Sequence, residues 1–148
     1  MDLTGRTVLI VEDDPSVAES NMSCVKATGA SVTTTARVSA AVQMVKTRPI
    51  EVIVTDFNLT DGDARDLLSL LDKEGIRRNV LVLGAADKSR MEEIGEHHQV
   101  GSVLTKPVEC STLQAEISGL LENSGDSPDL SPKLISWEER RRILDEIT

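Results

Sequence analysis

The sequence predicts an α/β fold, a doubly wound five-stranded parallel sheet with helices on both faces plus a C-terminal helix. The β-branched-rich run TVLIV (7–11) and the apolar run VLVL (80–83) read as strands buried on both faces. Amphipathic helical patterns separate these runs, so strand–helix recurs five times. Each strand–helix–strand crossover implies parallel pairing and a right-handed connection, which builds one sheet between two helical layers.

The elements follow in order. After the first strand, Asp14 and Pro15 read as N-cap and first helical residue, Ala18, Met22 and Val25 share one face, and Gly29 closes the helix. SVTTT (31–35) is more polar and predicts an edge strand. Val38, Ala41, Val42 and Val45 mark a second helix that ends near Pro49, and EVIVT (51–55) a second buried strand. Residues 56–63 read as a loop of acids, Asn, Thr and Gly. Ala64, Leu67, Leu68 and Leu71 make a third helix ended by Gly75. After the strand at 80–83 come a weaker polar helix over 87–96, a short strand GSVLT (101–105), and a helix carrying Leu113, Ile117, Leu120 and Leu121. Residues 1–122 thus form one domain, 123–135 (rich in Ser, Pro, Gly and Asp) a linker, and 136–148 a helical extension opened by a Ser136/Glu139 capping box.

The 148 residues carry 16 Lys plus Arg against 25 Asp plus Glu, a net charge of −9. Nucleic acid and anionic lipid are therefore not expected as ligands; a metal cation or a basic partner suits the chain better. One Phe and one Trp leave no aromatic platform for bases. The apolar runs are too short to span a membrane, and the N-terminus runs into acids without the apolar stretch of a signal peptide, so a cytoplasmic protein is expected. Cys24 and Cys110, far apart in sequence and at no zinc or redox spacing, read as reduced thiols without chemistry.

In a doubly wound sheet, ligands bind at the carboxyl ends of the strands, where the winding reverses. Glu12, Asp13 and Asp14 follow the first strand, Asp56 the third and Lys106 the fifth. With strand order 2-1-3-4-5, the first and third strands are neighbours and their acids converge. Crowded carboxylates stay ionised only beside a compensating cation, and a hard divalent ion such as Mg²⁺ fits oxygen ligands best. An Asp between a metal and a Lys is equipped to attack phosphorus, because both cations neutralise the incoming phosphoryl oxygens.

The segments VLIVEDD, VIVTDFNLTDGD and VLTKP resemble the receiver domain of two-component response regulators over roughly residues 5–122, a flavodoxin-like fold. The resemblance implies that Asp56 is the phosphoacceptor for a histidine kinase or phosphotransfer protein. It implies that Glu12, Asp13, Asp56 and the Asn58 carbonyl hold Mg²⁺, that Lys106 binds the phosphoryl group, and that the Lys106–Pro107 bond is cis. It implies no turnover enzyme, and it admits a homodimer as a partner state. The sequence also departs from the family. Gly84 stands where Ser or Thr is usual and Val103 where Tyr or Phe is usual, while Thr60 and Ala64 replace the common Pro and Gly. The expected output route is therefore backbone movement of the 84–87 loop, with the Ala85 N–H contacting the phosphoryl group. The same departures admit a degenerate receiver that binds partners without phosphorylation.

Other residues have plainer readings. Asp14 is expected to be only a helix cap, His97 and His98 a solvated face of the fourth helix, and Phe57 a flank of the pocket. VIVTDFNLT also resembles the haloacid-dehalogenase phosphatase pattern, but Asn58 replaces its second acid and the nucleophile would follow the wrong strand. Trp137-Glu138 and Arg142-Ile143-Leu144 are similar to the opening of Fis-like DNA-binding domains. The helix-turn-helix is missing from these residues, and one helix on an acidic body does not hold a groove.

Overall fold

The computed structural model describes residues 2–84 and 88–123. Asn123, expected to open the linker, is instead the last residue of a helix over Cys110–Asn123; the rest of the expected linker and the C-terminal helix lie outside the described residues, as does Ala85. β1 (Thr7–Val11), β2 (Ser31–Thr35), β3 (Val52–Asp56), β6 (Asn79–Gly84) and β7 (Val100–Thr105) form one parallel sheet in the order β2-β1-β3-β6-β7. This is the expected 2-1-3-4-5 arrangement of the five long strands. Two further strands, β4 (Asn58–Leu59) and β5 (Gly62–Asp63), pair as a small antiparallel hairpin inside the stretch expected to be loop.

The two-residue period of a strand divides the core. One row across the sheet runs Thr33, Leu9, Ile53, Val80 and Val100. Leu9, Ile53 and Val80 from this row pack with Val38, Ala41, Val42 and Val45 of α2 (Val38–Thr47) and Leu67, Leu68 and Leu71 of α3 (Ala64–Lys73). Met91 and Ile94 of α4 (Lys88–Gly95) complete that layer. The alternating residues Val8, Ile10, Val52, Val54, Leu81 and Leu83 face the other way. They meet Val25 of α1 (Pro15–Lys26) and Leu113, Ile117, Leu120 and Leu121 of α5 (Cys110–Asn123).

The starts of α1, α2 and α3 are fixed by acids. Asp14 caps α1, accepting from the backbone N–H of Ser16 at 3.0 Å and of Val17 at 3.4 Å, as expected. α3 has a capping box: Asp63 accepts from the N–H groups of Arg65 and Asp66, and Asp66 accepts from the Asp63 N–H at 2.9 Å. Gly62 must be glycine, since its φ is +151° and a Cβ there would run into the Asp66 carboxylate. α2 has no side-chain cap of its own at Arg37. Asp61, from the hairpin after β3, supplies one by accepting from Val38 N–H at 2.7 Å and Ser39 N–H at 3.2 Å. Those bonds, the Val38 N–H foremost, hold the Asp61 carboxyl below its ordinary value. Asp61→Ala is therefore expected to cost about 1 kcal/mol by urea unfolding and Asp61→Asn only a few tenths. The depressed value makes this contribution complete above the carboxyl's unfolded value and lost as pH falls through the folded one.

Two expectations about isolated side chains are corrected. His97 and His98 are not a solvated helix face, because α4 ends at Gly95 and both lie in the turn before β7. There the His97 Nε2–H donates to Asp72 Oδ2 at 3.0 Å while its Nδ1 accepts from Gln99 N–H. The His98 side chain is only 5% exposed, 2.8 Å from Asp72 Oδ1. Burial pushes the His98 imidazole down to about 4. Cys24 and Cys110 are not separate thiols either. α1 and α5 lie side by side on one face of the sheet, and the two residues are joined in a disulfide with a Cα–Cα distance of 5.7 Å. The crossovers bring the last helix back beside the first, which their sequence separation of 86 concealed.

Candidate functional site

The winding reverses between β1 and β3, so the chain leaves these neighbouring strands into loops that share one rim of the sheet. Glu12 directly follows β1 and is anchored by its N–H donating to the Thr35 carbonyl at 2.9 Å. Asp56 is the last residue of β3. Lys106 directly follows β7, and its N–H donates to the Gly84 carbonyl at 2.8 Å, which ties it to the end of β6. The Lys106–Pro107 peptide bond is cis.

These ends bring the charges together. Lys106 Nζ lies 3.0 Å from Glu12 Oε2 and 3.1 Å from Asp56 Oδ2. The Glu12 side chain is 2% exposed and that of Asp56 13%, so the ammonium bridges two largely dehydrated acids. The remaining oxygens also have donors: Asp14 N–H for Glu12 Oε1 at 3.2 Å, and Phe57 N–H for Asp56 Oδ1 at 2.9 Å. Asp13 is exposed at the mouth, and Glu12, Asp13 and Asp56 each bring a carboxylate oxygen within 4.8 Å of the others.

The electrostatics follow from burial against pairing. Burial raises the Glu12 carboxyl above its ordinary value, outweighing the Lys106 hydrogen bond that lowers it, and the nearby Asp56 charge adds to the rise. For Lys106, burial alone works downward, but the hydrogen bonds and charges of Glu12 and Asp56 prevail and its value is raised. The site is thus a fixed ammonium set against more negative charge than it can neutralise. Such a site suits a further cation with oxygen ligands, and Glu12, Asp13 and Asp56 are a donor set that fits Mg²⁺. A cavity of about 440 Å³ opens beside Lys106, lined also by Ser16, Val17, Asn21 and Pro107.

Asn58 is exposed, two residues beyond Asp56, in the strand whose partner is Asp63. Asp14 takes only its capping role. Phe57 is buried in the α2–α3 core rather than lining the rim, with the Arg65 guanidinium 5.5 Å over its ring. Gly84 and Val103 pack rather than point into the crevice. Met91 of α4 lies so close to Gly84 that a Cβ there would meet its Sδ and Cε, and Val103 packs on the same core. The thioether thus occupies the space beside the end of β6 where a Ser or Thr would place its side chain. Sequence reasoning missed this contact, as it missed the Phe57 N–H that orients Asp56. Only the spacing of Met91 and Ile94 on one side of α4 signals the first, and a backbone donor has no sequence signal.

The match to known proteins agrees with this geometry. A family model described as the response regulator receiver domain matches residues 8–118. Over 119 residues the chain is 29% identical to the probable transcriptional regulatory protein TcrX of Mycobacterium tuberculosis, a match covering 80% of this chain and 51% of that protein. The chain therefore spans about half the length of this curated relative. The receiver domain of the Francisella response regulator 1452 superposes with a TM-score of 0.75 at 25% identity, covering 81% of this chain and 99% of that one. The signal receiver domain of a putative Luxo repressor protein from Vibrio parahaemolyticus gives 0.75 at 21% identity, covering 80% and 92%, a likeness of fold alone.

Proposed function

Because this chain belongs to the response regulator receiver domain family, we propose that it accepts a phosphoryl group on Asp56 from a phosphohistidine of a histidine kinase or phosphotransfer protein, and works in the cytoplasm. One observation carries the reading: a single ammonium bridges Glu12 and Asp56 from the ends of different strands. Asp56 Oδ attacks phosphorus, the P–N bond to the donor imidazole breaks, and the imidazole leaves with a proton from solvent. Phe57 N–H, shared with the Leu83 carbonyl at 2.8 Å, holds one Asp56 oxygen and so helps aim the other. Lys106 moves from neutralising carboxylates to neutralising the arriving phosphoryl oxygens. Glu12, Asp13, Asp56 and the Asn58 carbonyl would hold Mg²⁺, which supplies the second positive charge when bound. Asp56 is consumed once per cycle, so the chain is a stoichiometric acceptor and not a turnover enzyme.

The output leaves by an atypical route, in which the Gly84–Asp87 loop moves as a backbone and the Ala85 N–H meets the phosphoryl group. A homodimer is one form that output takes. The test is acetyl phosphate with Mg²⁺, followed by intact mass. The expected result is one phosphoryl group per chain, dependent on Mg²⁺ and absent from Asp56→Asn. Equal gain in that variant overturns the assignment. The packing of Met91 on Gly84 favours a second reading, an interaction module that ignores phosphorylation. Failure of Mg²⁺ to bind in a titration selects that reading. Solution mass with and without beryllofluoride reports any change of assembly.

A further inference from the structure

We propose that Cys24 and Cys110 form a reversible redox site, whose disulfide clamps α1 to α5 and which exchanges with a small thiol–disulfide couple of the glutathione type. The two residues stand on the two helices that flank the candidate crevice. α1 begins just beyond Glu12, Asp13 and Asp14, and α5 just beyond Lys106 and Pro107. The seam is already held at this point by Gln114 Nε2 donating to the Cys24 carbonyl at 2.9 Å. Leu113, Ile117 and Leu121 support the seam from beneath, with Cys24 packed against the same core. The 5.7 Å Cα–Cα distance suits a bridge between packed helices without moving either backbone.

The chemistry of the pair favours exchange over permanence. Cys110 is exposed and is the first residue of the 14-residue α5, so an incoming thiolate reaches its sulfur more readily than that of half-buried Cys24. Cys24 is half-buried, with the Cys110 carbonyl oxygen 3.3 Å from its sulfur. That oxygen is a ready acceptor for the Cys24 S–H once the bond is cut, so the reduced state leaves no stranded donor. An incoming thiolate attacks Cys110 Sγ, the S–S bond breaks, and Cys24 leaves as a thiolate that takes a proton from solvent. A second thiolate then attacks the small-molecule sulfur of the mixed disulfide and releases Cys110. The protein gains two thiols and the couple is oxidised to its disulfide; the reverse sequence closes the clamp. The expectation that the bond is transient rests on the cytoplasmic receiver reading, since disulfides in that compartment are typically catalytic or sensing.

The test equilibrates the full chain in glutathione buffers of graded ratio, traps thiols by alkylation and reads intact mass. This readout needs no phosphorylation, so its failure is separate from failure of the receiver reading. The expected result is chains with no alkyl group in oxidised buffer, two in reduced buffer, and a mixture dominated by these two forms between, with the mixed disulfide a minor species. The oxidised form is expected to melt higher by on the order of 10 °C, a difference absent from Cys24→Ser and Cys110→Ser. A glutathione-capped wild-type chain as the main product across the intermediate ratios overturns the proposal, since the two cysteines then do not act as a pair. So do disulfide-linked dimers, a bond that survives excess reduced glutathione, or equal melting of the two forms.

Discussion

Lys106→Met is expected to slow phosphorylation of Asp56 by acetyl phosphate by about two to three orders of magnitude, the usual effect of deleting one preorganised stabiliser of transition-state charge. The methionine keeps the length of the side chain and removes only the ammonium that lies 3.0 Å from Glu12 and 3.1 Å from Asp56. The rate is read from the mass shift against time at saturating Mg²⁺. An unchanged rate would mean that the ammonium is a structural counter-ion only. The same substitution is expected to destabilise the fold by roughly 2–3 kcal/mol at neutral pH, because it strands the buried Glu12 charge without its partner. The pH dependence has a definite sign. The Glu12 carboxyl is already raised by burial, and loss of Lys106 raises it further. A group raised in the folded state contributes most below its unfolded value and loses that contribution as pH rises through its folded value. The variant should therefore recover toward wild type as the buffer is acidified from pH ~7 to ~5. Urea midpoints at both pH values read this directly, and a gap that widens in acid would contradict it.

Ile53→Ala is expected to cost about 2–5 kcal/mol, enough to take a large part of the stability of an ordinary domain. Ile53 has no exposed surface and stands in the central strand, between Leu9 and Val80 of its neighbours, against α2 and α3. With strands on both sides and helices above, few neighbours can close on the cavity. Urea unfolding measures the loss. Its strand also carries Asp56, so Mg²⁺ binding in the same variant shows whether the crevice holds its shape while the core is weakened.

The elements that read most clearly in the sequence are those whose physics is local. TVLIV and VLVL are strands because a sheet covered on both faces needs unbroken apolar runs, and Asp14-Pro15 opens a helix because both residues act on their immediate neighbours. The strand order and the convergence of Glu12, Asp13, Asp56 and Lys106 were legible because a parallel sheet delivers every strand end to the same rim. What escaped was set by distant partners. Asp61 caps a helix that begins 23 residues earlier in the chain, so its acid reads only as part of a loop. Cys24 and Cys110 meet because the successive crossovers return α5 to the side of α1, and nothing in their spacing says so. His97 and His98 were assigned to the wrong kind of surface because the Asp72 that faces them belongs to another helix. The contact of Met91 with Gly84 is of the same kind, visible only once α4 is laid on the sheet.

The β7 edge of the sheet has a consequence for biosynthesis. Lys106 follows β7, whereas Glu12 follows β1 and Asp56 ends β3, both far earlier in sequence. A ribosome therefore finishes the acidic half of the crevice first, and Lys106, which neutralises it, emerges only seconds later at ordinary elongation speeds. Until β7 docks, Glu12 lacks the ammonium that pairs with it in the folded domain, and burying it carries the cost of an unpaired charge. Closure of the sheet is thus tied to completion of the whole receiver, and a prematurely terminated product lacks the charge balance to keep its rim shut.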